Sequence, residues 1–408
     1  MEKYCDDLYW EKCNDDFKKR SLVLKSELHI LIIWENVRDN TDLIISEFQK
    51  QFDIRQIYEV KWKKENFQNN LKRFYGQTLP DPVKKAELCG YGSFLLVLFY
   101  DHHPKHGKRG TSIGKQIVNT NVYDKKREFR KILGGSFPIH GSIHENEANH
   151  DCTLLLLKNI EDVKRDLPEK WDQKIIPYEN DLAGTNGWKD VEEFFYVLNS
   201  LFNYVVLRNF ESYPEEINSS KHKDIDLLTD DLLQIPYAIN RIIPKSNDDF
   251  KSTYVKIGEN QVHIDLIHVK DRYYDEKWCN AILENRIFNE KGFYTPNLKD
   301  YFYSLLYHGL IHKSKISEDY IIRLIEMSKK LEVGEIKEDD FRNHDVQKIL
   351  DSFLQRKKYQ YTNSRTYKIK HNEISRLVNV AKHTAKNDGM DTLMRAIKRK
   401  IKRKVLKK

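Results

Sequence analysis

Short apolar runs and helical spacing divide the chain into blocks. SELHILIIW (26–34) and SFLLVLFYD (93–101) are apolar runs bounded by polar residues, the pattern of buried strands. Between them, TDLIISEFQKQF (41–52) has the spacing of an amphipathic helix, IRQIYEVKW (54–62) reads as a strand, and NFQNNLKRFYG (66–76) as a helix that stops at Gly76. HHPKHGKRGTSIGKQ reads as a long basic loop, and NVYDKKREFRKIL as a helix leading into GGSFPIHGSIHENEANHDCTLLLL. Strands that alternate with helices predict a separate α/β or α+β domain over residues 1–165. Residues 166–186 carry Pro168, Pro177 and Gly184 with many charges and little periodicity, and read as a connector.

A second block opens with WKDVEEFFYVLNSLF (188–202), a helix by spacing, followed by a β-branched strand from Tyr204 to Leu207. DIDLL, from Asp224, predicts a second strand, and STYVKI and QVHIDLIHV predict two more. Because strand side chains alternate faces, Asp224 and Asp226 point one way while Ile225 and Leu227 enter a core. In the last strand Asp265 shares a face with His263, and Val262, Ile264 and Leu266 take the other. These strands define a core over 187–270. After Val269 the pattern turns helical, giving an extension over 271–360. Within it, NLKDYFYSLLYHGLIHK starts at the N-cap candidate Asn297, places Tyr301, Leu305, His308 and His312 on one face, and ends at Lys313. The tail, 361–408, closes with a helix in which Met394, Ile397, Ile401 and Val405 share a face and Lys/Arg cover the rest.

Charge changes this picture at one place. The chain is +8 overall, but 392–408 contains nine Lys/Arg and no acid, so the body is close to neutral. A basic amphipathic helix suits an anionic membrane surface, where each basic residue contributes roughly 1 kcal/mol. An RNA-binding arm and a solvated charge run are the competing readings. No run approaches the ~20 apolar residues of a membrane span. The N-terminus lacks the apolar stretch of a signal peptide, and five scattered cysteines form no metal-binding spacing. The expected location is the cytoplasm, with the tail peripheral at the inner face of the membrane.

The chemistry concentrates in the second block. If the strands of Asp224/Asp226 and Asp265 are neighbours, three carboxylates converge and repel unless a divalent cation neutralises them. Mg²⁺ is held by a few carboxylates plus substrate phosphates, and a metal pair can clamp both oxygens of a phosphoryl displacement. GKRGTSIGKQ departs from a P-loop in two places, since Arg109 stands five before Gly114 and Gln116 follows the Lys. Its Lys and His residues leave a phosphorylated-ligand site and a solvated loop as readings.

A DxD pair on one strand with a third Asp on a later strand resembles the nucleotidyltransferase superfamily with the polymerase-β-like fold, especially its small members and the LicD-type phosphocholine transferases, over about 187–330. The resemblance implies a mixed central sheet, a nucleotide or nucleotide-activated donor, and Mg²⁺ or Mn²⁺ on Asp224, Asp226 and Asp265. The family's small Gly-Gly/Ser pair is replaced by Leu207-Arg208-Asn209. Arg208 is then expected to neutralise phosphate charge and Asn209 to supply hydrogen bonds. Lys221, Lys223, His263, His308 and Lys313 are the further substrate-binding candidates, with Tyr307 beside them.

The first block resembles the nucleoside diphosphate kinases, with a ferredoxin-like fold, over about 26–160. Ile139-His140-Gly141-Ser142 precedes a helix-forming run, and His140 would occupy the position of the phosphorylated histidine. The family's early Lys-Pro-Asp is replaced by Trp34-Glu35-Asn36, so the resemblance implies shared fold rather than retained kinase chemistry. Together the expectation is a metal-dependent nucleotidyl- or phosphoryl-transferase acting on a lipid-linked or surface-glycan acceptor. The alternatives are a nucleic-acid-directed nucleotidyltransferase, including the toxin–antitoxin type, and a degenerate, non-catalytic nucleotide-binding protein.

Overall fold

The computed structural model describes residues 26–111, 114–134, 139–218, 224–241, 252–313, 315–334, 336–342 and 345–362. The fold is mixed α and β throughout, as the alternating pattern predicts. The chain divides into two compact units: residues to Trp188 with Leu233–Asn240, and Lys189–Leu232 with the chain from Arg241 onward.

The first unit is built on strands β1 (Glu27–Ile33), β2 (Asp53–Val60), β3 (Phe94–Asp101), β4 (His106–Thr111), β5 (Gly114–Asn119), β6 (Ile139–Gly141) and β7 (Ile175–Tyr178). Its main sheet has the order β6-β1-β3-β2-β7. The pairings β6–β1, β1–β3 and β3–β2 are all antiparallel. Counting only those four strands in chain order, this is the fourth-first-third-second arrangement of a ferredoxin-like unit. β1 and β3 sit at its centre and are buried on both faces, which is why they read as continuous apolar runs. Helices α1 (Thr41–Gln49), α2 (Phe67–Tyr75), α3 (Pro82–Cys89), α4 (Thr120–Ile132), α5 (Glu145–Leu156) and α6 (Ile160–Asp166) pack around it. Gly76 ends α2 with φ +57°, a conformation glycine adopts without strain. Asn119 caps α4 by accepting from the Val122 amide.

Two segments of this unit differ from the sequence expectation. The basic stretch expected as a loop is a β4–β5 hairpin with exposed or half-exposed residues on both faces of β4, so it has no apolar alternation to announce it. The stretch expected as a connector contains β7, which adds to the sheet parallel to β2, and Asp181, whose carboxylate accepts from the Lys63 amide and from Asn66 and Asn70. β7 is short and solvent-facing, with Ile175 and Ile176 exposed, and Pro177 obscures it in the sequence.

The second unit has a sheet of β8 (Tyr204–Val206), β9 (Asp224–Thr229), β10 (Ser252–Ile257) and β11 (Asn260–His268), in the order β10-β11-β9-β8. β10 and β11 form an antiparallel hairpin turning at Gly258, whose φ is +55°. β9 and β11 run parallel. Helix α7 (Val191–Leu201) precedes the sheet, and α8 (Glu276–Glu284), α9 (Leu298–Tyr307), α10 (Glu318–Leu331) and α11 (Asp345–Lys357) follow it. Asn297 caps α9 through the Asp300 amide, as expected. The helices are continuous with the sheet: Val205, Leu228 and Ile267 share one buried cluster with Trp278, Tyr307, Leu324 and Phe353. Among the described residues no helix is long and apolar enough to cross a membrane. The tail helix expected over 391–408 lies outside the described residues.

Candidate active site

The parallel pairing of β9 with β11 sets the geometry. Its register puts Asp226 opposite Asp265 and Asp224 opposite His263. Residues opposite one another in a ladder share a face, so all three carboxylates lie on one side of the sheet. The other side carries Ile225, Leu227, Val262, Ile264 and Leu266, all buried as expected. Further along the acid-bearing face the same rows continue as Leu228 and Ile267, which are covered by the helices. The carboxylates begin where the helical cover stops. Asp226 is buried, and Asp224 and Asp265 are half-buried.

Arg208 does not stand open to a ligand as the sequence suggested. Its side chain is 3 % exposed, and its Nη2 donates to Asp226 Oδ1 at 2.8 Å and to the Tyr273 hydroxyl at 2.7 Å. The Tyr274 hydroxyl is 3.5 Å from Nη1. Burial works against the guanidinium charge, but Asp226 and the surrounding tyrosines outweigh it and hold Arg208 firmly charged. Arg208 is thus the internal counter-ion of the site. Burial pushes the Asp226 carboxyl up, Arg208 pulls it back, and Asp224 pushes it up again. Burial and the neighbouring Asp226 raise Asp265 to about 6, against the lowering pull of His263 and Arg208.

The other candidates fall into place around this pair. His308 is buried; its Nδ1 lies 2.7 Å from the Tyr273 hydroxyl and 3.3 Å from His312 Nδ1. Burial, with Arg208 next, drives its pKa well below the usual histidine value, so it stays neutral. It braces Tyr273 and hence Arg208, and does not face the carboxylates directly. A π-helical turn, His308–His312, carries both histidines; such turns are frequent at functional sites. Lys313 follows it, exposed, and its charge reaches Asp226. Asn209 has a left-handed backbone, φ +60°, and its Oδ1 accepts from Arg323 at 3.1 Å. Arg323 also pairs with Glu211 at 3.1 Å and Asp319 at 2.6 Å. His263 Nδ1 stands 3.7 Å from Asp265 Oδ1. Lys221 and Lys223 lie outside the described residues. Sequence reasoning missed Tyr273, Tyr274, His312 and Arg323 as supports. The Tyr273-Tyr274 pair just after the acid strand was the available signal; nothing marked Arg323.

His140 belongs to a separate cluster in the first unit. Its Nε2 lies 2.8 Å from Asp151 Oδ2, and burial lowers its pKa while raising that of Asp151 to about 6. Among the described residues, His140, Glu147 and Asp151 are the group of three whose ligand atoms all lie within 4.8 Å of one another. By distance they could hold a metal. By charge they are less inviting: Lys126 donates to Gly141 O at 2.7 Å, Arg130 to Ile139 O at 2.8 Å, and Lys85 acts electrostatically on His140. Two carboxylates there already face three cations.

The aspartates of the second unit are less tightly drawn together, but their chemistry fits a hard divalent cation. They are oxygen donors on adjacent strands, and two of them have proton affinities raised by burial and mutual repulsion. No protein-family model matches the chain, and no curated protein or solved structure does either.

Removing one partner of a buried ion pair costs about 3–5 kcal/mol. Arg208→Met should therefore lower unfolding stability by about that amount, and adding Asp226→Asn should recover most of it, as read by urea denaturation; a double variant as unstable as the single one would refute the counter-ion role. Asp265 binds its proton more tightly folded than unfolded, since its pKa lies above the ordinary 3.8. Stability then falls as pH rises from that value through about 6 and is level above. Asp265→Asn should melt higher than wild type near neutral pH, and the gain should vanish below about pH 4.

Proposed function

We propose that the second unit is a metal-dependent nucleotidyl- or phosphoryl-transferase whose site is the Asp224–Asp226–Asp265 face. The observation that carries this is the parallel register of β9 and β11, with Asp226 directly opposite Asp265 and Asp224 on the same face. A sheet gains nothing for its own stability by gathering three acids, and a buried one least of all. A cation with a phosphorylated ligand gives the gathering a purpose. Mg²⁺ or Mn²⁺ held there would supply the charge that neutralises donor phosphates.

The chain's own residues would divide the work as follows. Asp224 and Asp226 would orient the donor, with Asp226 fixed by Arg208 so that its carboxylate cannot swing away. Asp265, raised to about 6, is the carboxylate suited to take the proton of an acceptor hydroxyl as that oxygen attacks phosphorus and the leaving group departs. Lys313 would bring positive charge to the phosphates from the margin. Positioning and charge stabilisation account for most catalysis of this type. The LicD-like resemblance favours an acceptor in surface-glycan assembly, such as a lipid-linked sugar.

A thermal-shift screen against nucleoside triphosphates and CDP- and UDP-conjugates tests the site. With Mg²⁺ one donor class should raise the melting temperature, and Asp224→Asn should abolish that rise while leaving the unliganded protein folded. A donor shift that survives in Asp224→Asn and in Asp265→Asn would remove the site from consideration.

A further inference from the structure

The register also identifies what borders the carboxylates. One row toward the start of β9 from Asp226 and Asp265, Asp224 lies opposite His263, and His263 lies opposite Tyr254 on β10. Tyr254, His263 and Asp224 therefore form a row across three strands on the acid-bearing face. That row is two residues along the strands from the Asp226–Asp265 row, or about 7 Å. The adjoining residues of β10, Val255 and Ile257, face the core and are buried. Tyr254 is half-exposed on the outermost strand of the sheet. Its ring meets His263 edge-on, with centroids 5.1 Å apart and planes at 62°.

Core formation does not call for an aromatic ring on this face, because the helical cover lies at the other end of the rows, over Leu228 and Ile267. A ring about 7 Å from a carboxylate row that holds phosphates stands one sugar's width from them. That is the spacing between a nucleotide's innermost phosphate and its base. Bases stack on exposed aromatic rings with little regard to sequence, because each has a π-face. We propose that Tyr254 is the stacking platform for the base of a nucleotide donor whose phosphates occupy the Asp224–Asp226–Asp265 face, with His263 setting the angle of its ring. The proposal rests on the transferase reading above and extends it by naming the donor class: a base-bearing nucleotide, not a base-free polyphosphate.

The test compares the four nucleoside triphosphates with inorganic tripolyphosphate, each titrated calorimetrically into the full chain with Mg²⁺. The proposal expects wild type to bind at least one nucleoside triphosphate more tightly than tripolyphosphate. Tyr254→Ala should weaken that nucleotide by about 5- to 100-fold, the range that alanine substitution of a stacked aromatic gives. Tripolyphosphate affinity should stay unchanged, which also shows that the variant is folded, and Tyr254→Trp should keep the nucleotide preference. Equal binding of both ligands by wild type, or an unchanged preference in Tyr254→Ala, overturns the platform while leaving the transferase site standing. If neither ligand binds wild type, or binding is indifferent to Asp226→Asn, the site reading itself fails and takes the platform with it.

Discussion

A carboxylate can be buried in the middle of a sheet only if a positive charge is buried with it. In this protein the pair is Asp226 and Arg208, 2.8 Å apart and almost wholly removed from solvent. Much of the second unit serves that contact. Arg208 follows the end of β8, where the Leu207 amide still donates to Asp226 O. The Tyr273 hydroxyl accepts a second bond from the same guanidinium nitrogen, and His308 braces the tyrosine from α9's π-helical continuation. The helices that follow the sheet are thus tied to the acid strand by a polar chain as well as by apolar packing. With Asp226 compensated from inside, Asp224 and Asp265 are the carboxylates left facing the open part of the sheet. Their charge is what an incoming cation would balance.

The sequence and the structure agree where a residue's position depends on local period. The strands of the second unit, the shared face of Asp224 and Asp226, and the inward set Ile225, Leu227, Val262, Ile264 and Leu266 all follow from alternation, because burial imposes a period of two. The condition that β9 and β11 be neighbours was visible only as a condition, since strand order is set by long-range packing. The same limit explains Arg208. In sequence it is an arginine in a loop beside two acids, equally suited to a ligand and to a counter-ion. Only the register of β8, β9 and the Tyr273 turn decides that it points inward. The β4–β5 hairpin and β7 escaped detection because neither buries an apolar face.

The two units each gather acids with histidine, but with different electrostatics. Around His140, Asp151 is held by the imidazole, and Lys126 and Arg130 fasten the backbone on either side of it. Positive charge is plentiful there, so the cluster is balanced without a metal. Around Asp226 a single arginine faces three aspartates. Counting charges in this way assigns cation binding to the second unit even though the donor atoms of His140, Glu147 and Asp151 are the more closely grouped.

That assignment is the centre of the account, and Mn²⁺ binding followed by electron paramagnetic resonance tests it most directly. The full chain would be titrated with Mn²⁺ in the presence of a nucleoside triphosphate, as wild type, as Asp224→Asn with Asp265→Asn, and as His140→Ala. The account predicts protein-bound Mn²⁺ in wild type and in His140→Ala, and its loss in the double aspartate variant. Binding that persists without Asp224 and Asp265 but disappears with His140 would contradict it, and would place the cation in the first unit.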